Sequence, residues 1–152
     1  MGDEDEQDNG RDGPDSAKHV KVLIVDDDPW FCASMERSLE RLGYDVERAA
    51  DGVEGLAKAI ATQPQVILTD IQMPRMDGNT LIRELARHSA DAVVILISGG
   101  HRFEEVFDGL RAGAVHYLMK PWSTEQLVVA MNRARQESER RTRQRLGATP
   151  PG

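Results

Sequence analysis

The sequence predicts an α/β fold in which helices cover both faces of one parallel sheet. Short β-branched runs alternate five times with longer segments of helical periodicity, and this alternation is typical of a doubly wound sheet. Glycine or proline stands at most of the joins between the segments. A chain of 152 residues is also long enough to bury one ordinary core, which we place in residues 19–135.

The strands and helices follow from the hydrophobic pattern. Strands are expected at 20–25, 44–49, 65–69, 92–97 and 114–119. Helices are expected at about 29–42, 53–62, 79–88, 102–112 and 123–145. Strands 1, 3 and 4 are almost wholly apolar and should be central. Strand 2 carries Asp45, Glu47 and Arg48, which suits a strand at the edge of the sheet.

The chain has a net charge of −7, with an acidic N-terminal end and a basic C-terminal end. Residues 1–18 are acidic and polar with almost nothing apolar, so we expect a disordered N-terminal tail. Residues 136–152 are expected to form a basic extension of the last helix and a flexible tail. The apolar stripe of that helix stops after Ala134, so its end should project or fray. A basic end can indicate nucleic-acid binding, but no recognition module accompanies it, which favours a solvated helix face.

Composition also limits where the protein acts. The longest apolar run, residues 92–97, is far too short to cross a bilayer, and the acidic N-terminus resembles neither a signal nor a transit peptide. Cys32 is the only cysteine, so no internal disulfide can form. We therefore expect a cytoplasmic protein without a membrane partner, in which Cys32 serves as a small buried group.

Polar side chains stand at the carboxyl ends of four predicted strands. They are Asp26, Asp27 and Asp28 after strand 1, Asp70 after strand 3, Ser98 after strand 4 and Lys120 after strand 5. In open parallel sheets, ligands bind at this edge. Crowded carboxylates raise one another's pKa values, and a hard divalent cation such as Mg²⁺ removes that conflict while it completes its shell with phosphate oxygens. The pattern predicts a Mg²⁺ and phosphate site, in which an aspartate can act as the nucleophile.

Each of these residues alone also has an ordinary structural explanation. Asp28 directly precedes Pro29, and this pair is typical of the cap and first residue of a helix, which leaves Asp26 and Asp27 for a metal. Ser98 alone would be a turn residue and Lys120 alone a surface charge. It is the occurrence of the whole set at successive strand ends that favours a functional site.

Four segments together resemble the receiver domain of two-component response regulators. They are VLIVDDDP at 22–29, ILTDIQMPRMDG at 67–78, VILISGG at 94–100 and GAVHYLMKPW at 113–122. The resemblance covers about residues 20–134. It implies a flavodoxin-like (βα)5 domain with a five-stranded sheet of order 2-1-3-4-5. It also implies phosphorylation of Asp70 by a sensor histidine kinase or a phosphotransfer protein.

The resemblance further assigns a metal site. In this family, the second acid after strand 1 and the phosphoacceptor bind Mg²⁺ (or Mn²⁺), together with a backbone carbonyl two residues beyond the phosphoacceptor. These positions correspond to Asp27, Asp70 and the main chain of Gln72, and Asp26 would act through a metal-bound water.

Four more positions carry expectations from the family. Ser98 and Lys120 correspond to the hydroxyl and ammonium groups that bind the phosphoryl group. Tyr117 holds the place of the switch aromatic, whose ring moves inward on activation; without the resemblance it would be a half-buried aromatic of strand 5. The bond between Lys120 and Pro121 corresponds to a cis peptide.

The expected function is a phosphorylation switch and not an enzyme, beyond catalysis of its own phosphorylation and dephosphorylation. The switch would change the surface of helix 4, strand 5 and helix 5 and so control a homodimer, a downstream protein, or an output domain if the chain is a fragment. Nucleic acid would be a partner only through such an output domain.

Two other functions remain open at this point. A phosphohydrolase of the haloacid dehalogenase type also uses an Asp-x-Asp, but here Pro29 and Trp30 replace its expected continuation and no room remains for a cap domain. The intact acidic set disfavours an unphosphorylated scaffold, and the acidic N-terminus disfavours nucleic-acid binding through the arginine-rich tail.

Overall fold

The computed structural model describes residues 20–88, 91–100 and 103–147. The acidic tail predicted for residues 1–18 and the last five residues lie outside the described ranges. The elements are β1 (Lys21–Val25), α1 (Pro29–Arg41), β2 (Asp45–Ala49), α2 (Gly52–Thr62), β3 (Val66–Asp70), α3 (Gly78–Arg87), β4 (Val93–Ser98), α4 (Phe103–Ala112), β5 (His116–Met119) and α5 (Thr124–Gly147).

The five strands form one parallel sheet of order β2-β1-β3-β4-β5. This order confirms the predicted doubly wound fold, in which the chain reverses direction across the sheet between β2 and β3. The polar strand β2 lies at an edge, as its charges predict, and every residue of β3 and β4 is buried.

Alternate residues of the strands face two separate cores because side chains of a strand point to opposite faces. Val22 and Ile24 of β1 pack with α1 and α5, whereas Leu23 and Val25 pack with α2, α3 and α4. Cys32 lies in the first of these cores, as predicted for a small buried group. The helices therefore cover both faces and leave the ends of the strands to the loops.

Three helices that follow strand ends begin at an aspartate cap. The Asp28 carboxylate accepts hydrogen bonds from the backbone N–H groups of Trp30 and Phe31, at 3.0 and 3.3 Å, and Pro29 is the first helical residue. The predicted cap of α1 is thus confirmed. Asp51 and Asp77 cap α2 and α3 in the same way. These caps satisfy N–H groups that the first helical turn leaves without partners.

The last helix continues well past Ala134, where its apolar stripe ends, and stops close to the end expected at residue 145. Helix α5 continues to Gly147, and its arginines contact the segment before β4. Arg141 donates a hydrogen bond to the backbone oxygen of Ala92 at 3.4 Å, and Arg145 pairs with Asp91. Polar contacts thus support the helix where its apolar stripe has ended.

None of the helices in the described ranges combines the length and the apolar character needed to cross a bilayer.

Candidate functional site

The register of the sheet aligns the ends of β1, β3, β4 and β5. Val25 lies beside Thr69, so Asp26 and Asp70, the next residue of each strand, reach the same level. Ser98 lies beside Met119, which places Lys120 directly after that pair. Neighbouring parallel strands therefore deliver the predicted polar groups to one edge of the sheet.

Three carboxylates meet at this edge. Each of Asp26, Asp27 and Asp70 offers an oxygen that lies within 4.8 Å of the others. Asp26 and Asp70 are buried, at 2% and 8% exposure, whereas Asp27 is exposed. Hard oxygen donors at this spacing, partly open to solvent, are the donor set that Mg²⁺ or Mn²⁺ requires, so the residues present fit such an ion.

The Asp26 carboxyl is the most deeply buried of the three. Burial raises its pKa, because an anion is poorly solvated inside the protein. The backbone N–H of Asp28, which donates to Asp26 at 2.9 Å, opposes this effect, and the nearby Lys120 ammonium opposes it further. Asp26 therefore has two partners within the site, the N–H of Asp28 and the Lys120 ammonium, and it lies beside the carboxylates of Asp27 and Asp70.

Lys120 connects the fifth strand to this cluster. Its ammonium nitrogen lies 3.2 Å from Asp26 Oδ2, and its backbone N–H donates to the carbonyl oxygen of Ser98 at 2.8 Å. The following bond to Pro121 is cis. The ammonium also lies 4.0 Å from the centroid of the Phe31 ring.

The segment after β4 leaves room beside Lys120. Ser98 is 1% exposed, and two glycines follow it. A methyl group at Gly99 would lie 3.7 Å from the Lys120 side chain, and one at Gly100 would meet nothing within 4 Å. Gly100 has a φ of +104°, a conformation that other residues rarely adopt.

The side chains of Gln72 and Tyr117 contact residues outside the acid cluster. Gln72 is in the loop between β3 and α3, and its side-chain amide donates to Glu105 of α4 at 3.2 Å. Tyr117 is 37% exposed on β5, with its ring centroid 6.2 Å from that of His116. Gln72 thus connects the loop after β3 to α4, and Tyr117 lies at the surface of β5.

The loop between β3 and α3 packs closely against its neighbours. An added Cβ at Gly78 would collide with the backbone oxygen of Asp70, and one at Gly52 would collide with that of Met76. Arg75 has a φ of +71° and forms an ion pair with Asp51 at 3.0 Å.

Sequence reasoning missed Phe31, Arg75 and Glu105. An apolar residue in the first turn of a helix is usually a core residue, so Phe31 carried no separate signal. Arg75 lies inside the MPRMDG segment that marks the turn. Its contact with Asp51 depends on a left-handed backbone, which the residue type does not indicate. Glu105 is one of two adjacent acids in α4, and their order alone gives no contact.

Comparison with known proteins agrees with the resemblance. The family model described as response regulator receiver domain matches residues 22–132. The chain is 38% identical over 112 residues to the response regulator MprA of Mycobacterium tuberculosis H37Ra, covering 74% of this chain and 49% of MprA. It is 33% identical over 122 residues to the DNA-binding dual master transcriptional regulator RpaA of Synechocystis sp. PCC 6803, covering 79% of this chain and 51% of RpaA. The chain thus spans about half the length of the curated relatives it matches.

Solved structures agree with the fold. A CheY-like receiver domain protein from Methanospirillum hungatei JF-1 superposes with a TM-score of 0.75 and 34% identity, covering 80% of this chain and 98% of that one. With the family model covering most of the described domain, the chain belongs to the response regulator receiver family, whose members are phosphorylation switches of two-component signalling.

Proposed function

We propose that Asp70 is the phosphoacceptor of this receiver domain and that a phosphohistidine of a sensor kinase or phosphotransfer protein is the donor. The observation that carries the proposal is the juxtaposition of the Asp70 carboxylate with Asp26 and Asp27 and, through Asp26, with the Lys120 ammonium. An isolated carboxylate at a strand end would need none of these neighbours.

The reaction is an exchange of one bond for another at phosphorus. A carboxylate oxygen of Asp70 attacks the phosphoryl group, a P–O bond forms, and the P–N bond to the donor histidine breaks. The electron pair of that bond returns to the imidazole, which takes up a proton. The Asp70 Oδ1 atom accepts a hydrogen bond from the N–H of Ile71 at 2.8 Å, which fixes the orientation of the carboxylate.

Mg²⁺ is the proposed cofactor, with Mn²⁺ as the alternative. Asp27, Asp70 and the Gln72 carbonyl would bind the ion directly, and Asp26 would act through a bound water. The ion supplies positive charge that offsets the charge of the phosphoryl oxygens. Lys120 and the Ser98 hydroxyl supply the donors that this chain itself contributes to those oxygens.

The proposed output is the surface formed by α4, β5 and α5. Tyr117 lies on it, and four more large apolar side chains are exposed there: Phe103 (73%), Phe107 (54%), Met119 (52%) and Val129 (51%). A phosphoryl group at Asp70 that drew Ser98 and Lys120 inward would let Tyr117 turn and change this surface. The partner would be a second copy, a downstream protein or a further domain.

Two broader features of the function are proposals as well. RpaA is described as DNA-binding, but only about half of its length matches this chain, so control of DNA is proposed only through a further output domain. We also propose a cytoplasmic location and, as the only catalysis, the domain's own phosphorylation and dephosphorylation.

Beryllofluoride, a phosphoryl mimic, tests the proposal directly. With Mg²⁺ present it should bind the wild-type protein at one equivalent and change the fluorescence of Trp122, which lies beside the site. Asp70→Asn should abolish binding, whereas Asp45→Asn on the edge strand should not. Binding to the Asp70→Asn variant with unchanged affinity would contradict the assignment of Asp70.

A further inference from the structure

We infer that Phe31 is a positioning residue for Lys120, and that its ring holds the ammonium where it can pass from Asp26 to an incoming phosphoryl group. The inference rests on the proposed role of Lys120 in binding phosphoryl oxygens. It adds an aromatic group to the residues proposed to bind the metal and the phosphoryl oxygens, which are all polar.

The placement of the Phe31 ring follows from the start of α1. Asp28 caps the helix, and Phe31 lies in the first turn with its own N–H bonded to that cap. The ring packs against the core, and its centroid lies 5.6 Å from that of Trp122 at an interplanar angle of 89°. An edge-to-face pair of this kind fixes the ring plane. One face of the ring is thereby presented to the Lys120 ammonium at 4.0 Å.

The ammonium has two partners of different character. Asp26 Oδ2, at 3.2 Å, attracts it by charge and hydrogen bonding, and the face of Phe31 attracts it through the electrostatic field of the ring. A hydrogen bond to a carboxylate is directional, whereas attraction to a ring face tolerates sideways movement. The ammonium can therefore leave Asp26 for phosphoryl oxygens while it stays over the ring. A second carboxylate in place of the ring would compete with the phosphoryl group for the same charge.

Three variants separate this role from simple packing. Phe31→Leu keeps apolar volume and removes the ring, Phe31→Tyr keeps the ring, and Lys120→Met removes the cation on which Phe31 acts. Calorimetry measures the affinity for beryllofluoride in saturating Mg²⁺, and a separate titration measures the affinity for Mg²⁺ alone. Phe31 also lines the groove between α1 and Trp122, so its substitution could disturb the docking of a phosphodonor protein. Beryllofluoride avoids this effect because it binds without a docked protein.

We expect Phe31→Leu to weaken beryllofluoride binding by about three- to tenfold, because binding must then also order the Lys120 side chain that the ring holds in place in the wild type. Affinity for Mg²⁺ should change by less than about twofold, the tyrosine variant should match the wild type, and Phe31→Leu should have no added effect in the Lys120→Met background. Thermal unfolding identifies any general loss of structure, in which case Phe31→Met replaces the leucine variant.

The results that would overturn the inference differ from those that would overturn the proposed function. Wild-type affinity in both the leucine and methionine variants, or an equal loss in the Lys120→Met background, excludes a role through Lys120. A parallel loss of Mg²⁺ affinity would make Phe31 a general structural support instead. Absence of beryllofluoride binding by the wild type would overturn the proposed function, and with it the role of Phe31.

Discussion

The guanidinium of Arg75 lies 3.0 Å from the Asp51 carboxylate, and this ion pair joins the loop before α3 to the first turn of α2. The same carboxylate accepts the backbone N–H of Glu54 at 2.8 Å, so one side chain both caps α2 and holds the loop. Arg75 keeps this contact from a left-handed backbone, which is an unfavourable conformation for a residue with a Cβ. The loop that carries Gln72 is thus held between Asp70 and Arg75.

Loss of this ion pair should weaken Mg²⁺ binding, because the loop supplies the proposed Gln72 carbonyl. Asp51→Asn retains a good helix cap but loses the charge, and Arg75→Gln removes the pair from the other side. We expect each variant to lower the Mg²⁺ affinity by about two- to fivefold, the range of a partly exposed pair, and the double variant to lower it no further. Arg87→Gln, which removes an exposed pair within α3, is the control. Additive losses in the double variant would show that the two residues act separately.

A methyl group at Gly78 should destabilise the fold. The added Cβ would collide with the backbone oxygen of Asp70, and the backbone N–H of Gly78 also donates to Ile71 at 2.8 Å, so neither chain segment can move freely. We expect Gly78→Ala to lower the free energy of unfolding by about 1–3 kcal/mol, as overpacking commonly does.

Gly99→Ala is the matched control for Gly78→Ala, because its Cβ would make only an ordinary contact with Lys120 at 3.7 Å. Its unfolding free energy should stay within about 0.5 kcal/mol of the wild type. Urea unfolding measures both variants. Equal stability of the two would contradict the close packing at Gly78.

Glu105 should hold the first turns of α4 against the loops around the site. Its carboxylate accepts from Gln72 at 3.2 Å, and its backbone oxygen accepts from the Asn79 side chain at 3.2 Å. Glu105→Ala should therefore raise amide hydrogen exchange in α4 by a few-fold, and Gln72→Ala should have the same effect without adding to it. Glu104→Ala, at the exposed neighbouring position, should leave the exchange rates unchanged. Unaltered exchange in Glu105→Ala would remove this link between α4 and the site.

Glu137 should support the end of α5 in a pH-dependent way. Hydrogen bonds from Arg140, and then from Arg141, lower its pKa from 4.5 to about 2. Because the folded pKa lies below the unfolded one, the carboxylate stabilises the folded helix fully above about pH 4.5 and ceases to do so as the pH falls through about 2. The Glu137 carboxyl resonance should titrate near the lower value in the folded protein.

The effect of Glu137 on the helix can be measured at neutral pH. Glu137→Gln should raise amide exchange over residues 140–147, while Glu139→Gln, an exposed position on the same helix, should not. A titration midpoint near 4.5 in the folded protein would contradict the contacts of Glu137.

The sheet was predictable because its buried strands are runs of mostly apolar residues. The run expected at residues 92–97 is Val93–Ser98 in the structure, displaced by one residue at each end. The polar contacts at the end of α5 were not predictable from apolar spacing, which reports contact with the core alone. Arg145 and Asp91 are far apart in sequence, and no periodicity connects them.

The acid cluster was predictable for a related reason. Asp26, Asp27 and Asp70 are polar residues where buried strands end, so their positions stand out against an apolar background. Phe31 and Arg75 do not stand out in that way. Their roles depend on a ring plane and on one left-handed residue, and both properties arise only when the loops have folded.

Gly52 and Gly78 lie in positions that tolerate no side chain, unlike the exposed residues of α4. A side chain at Gly52 would collide with the backbone of Met76, and one at Gly78 with the backbone of Asp70, so these positions have almost no freedom to vary. The stacked rings of Phe103 and Phe107 point outward on α4 and meet no such limit. Substitutions on α4 can therefore change the partner that such a domain binds, while the residues around Asp70 and their chemistry stay the same.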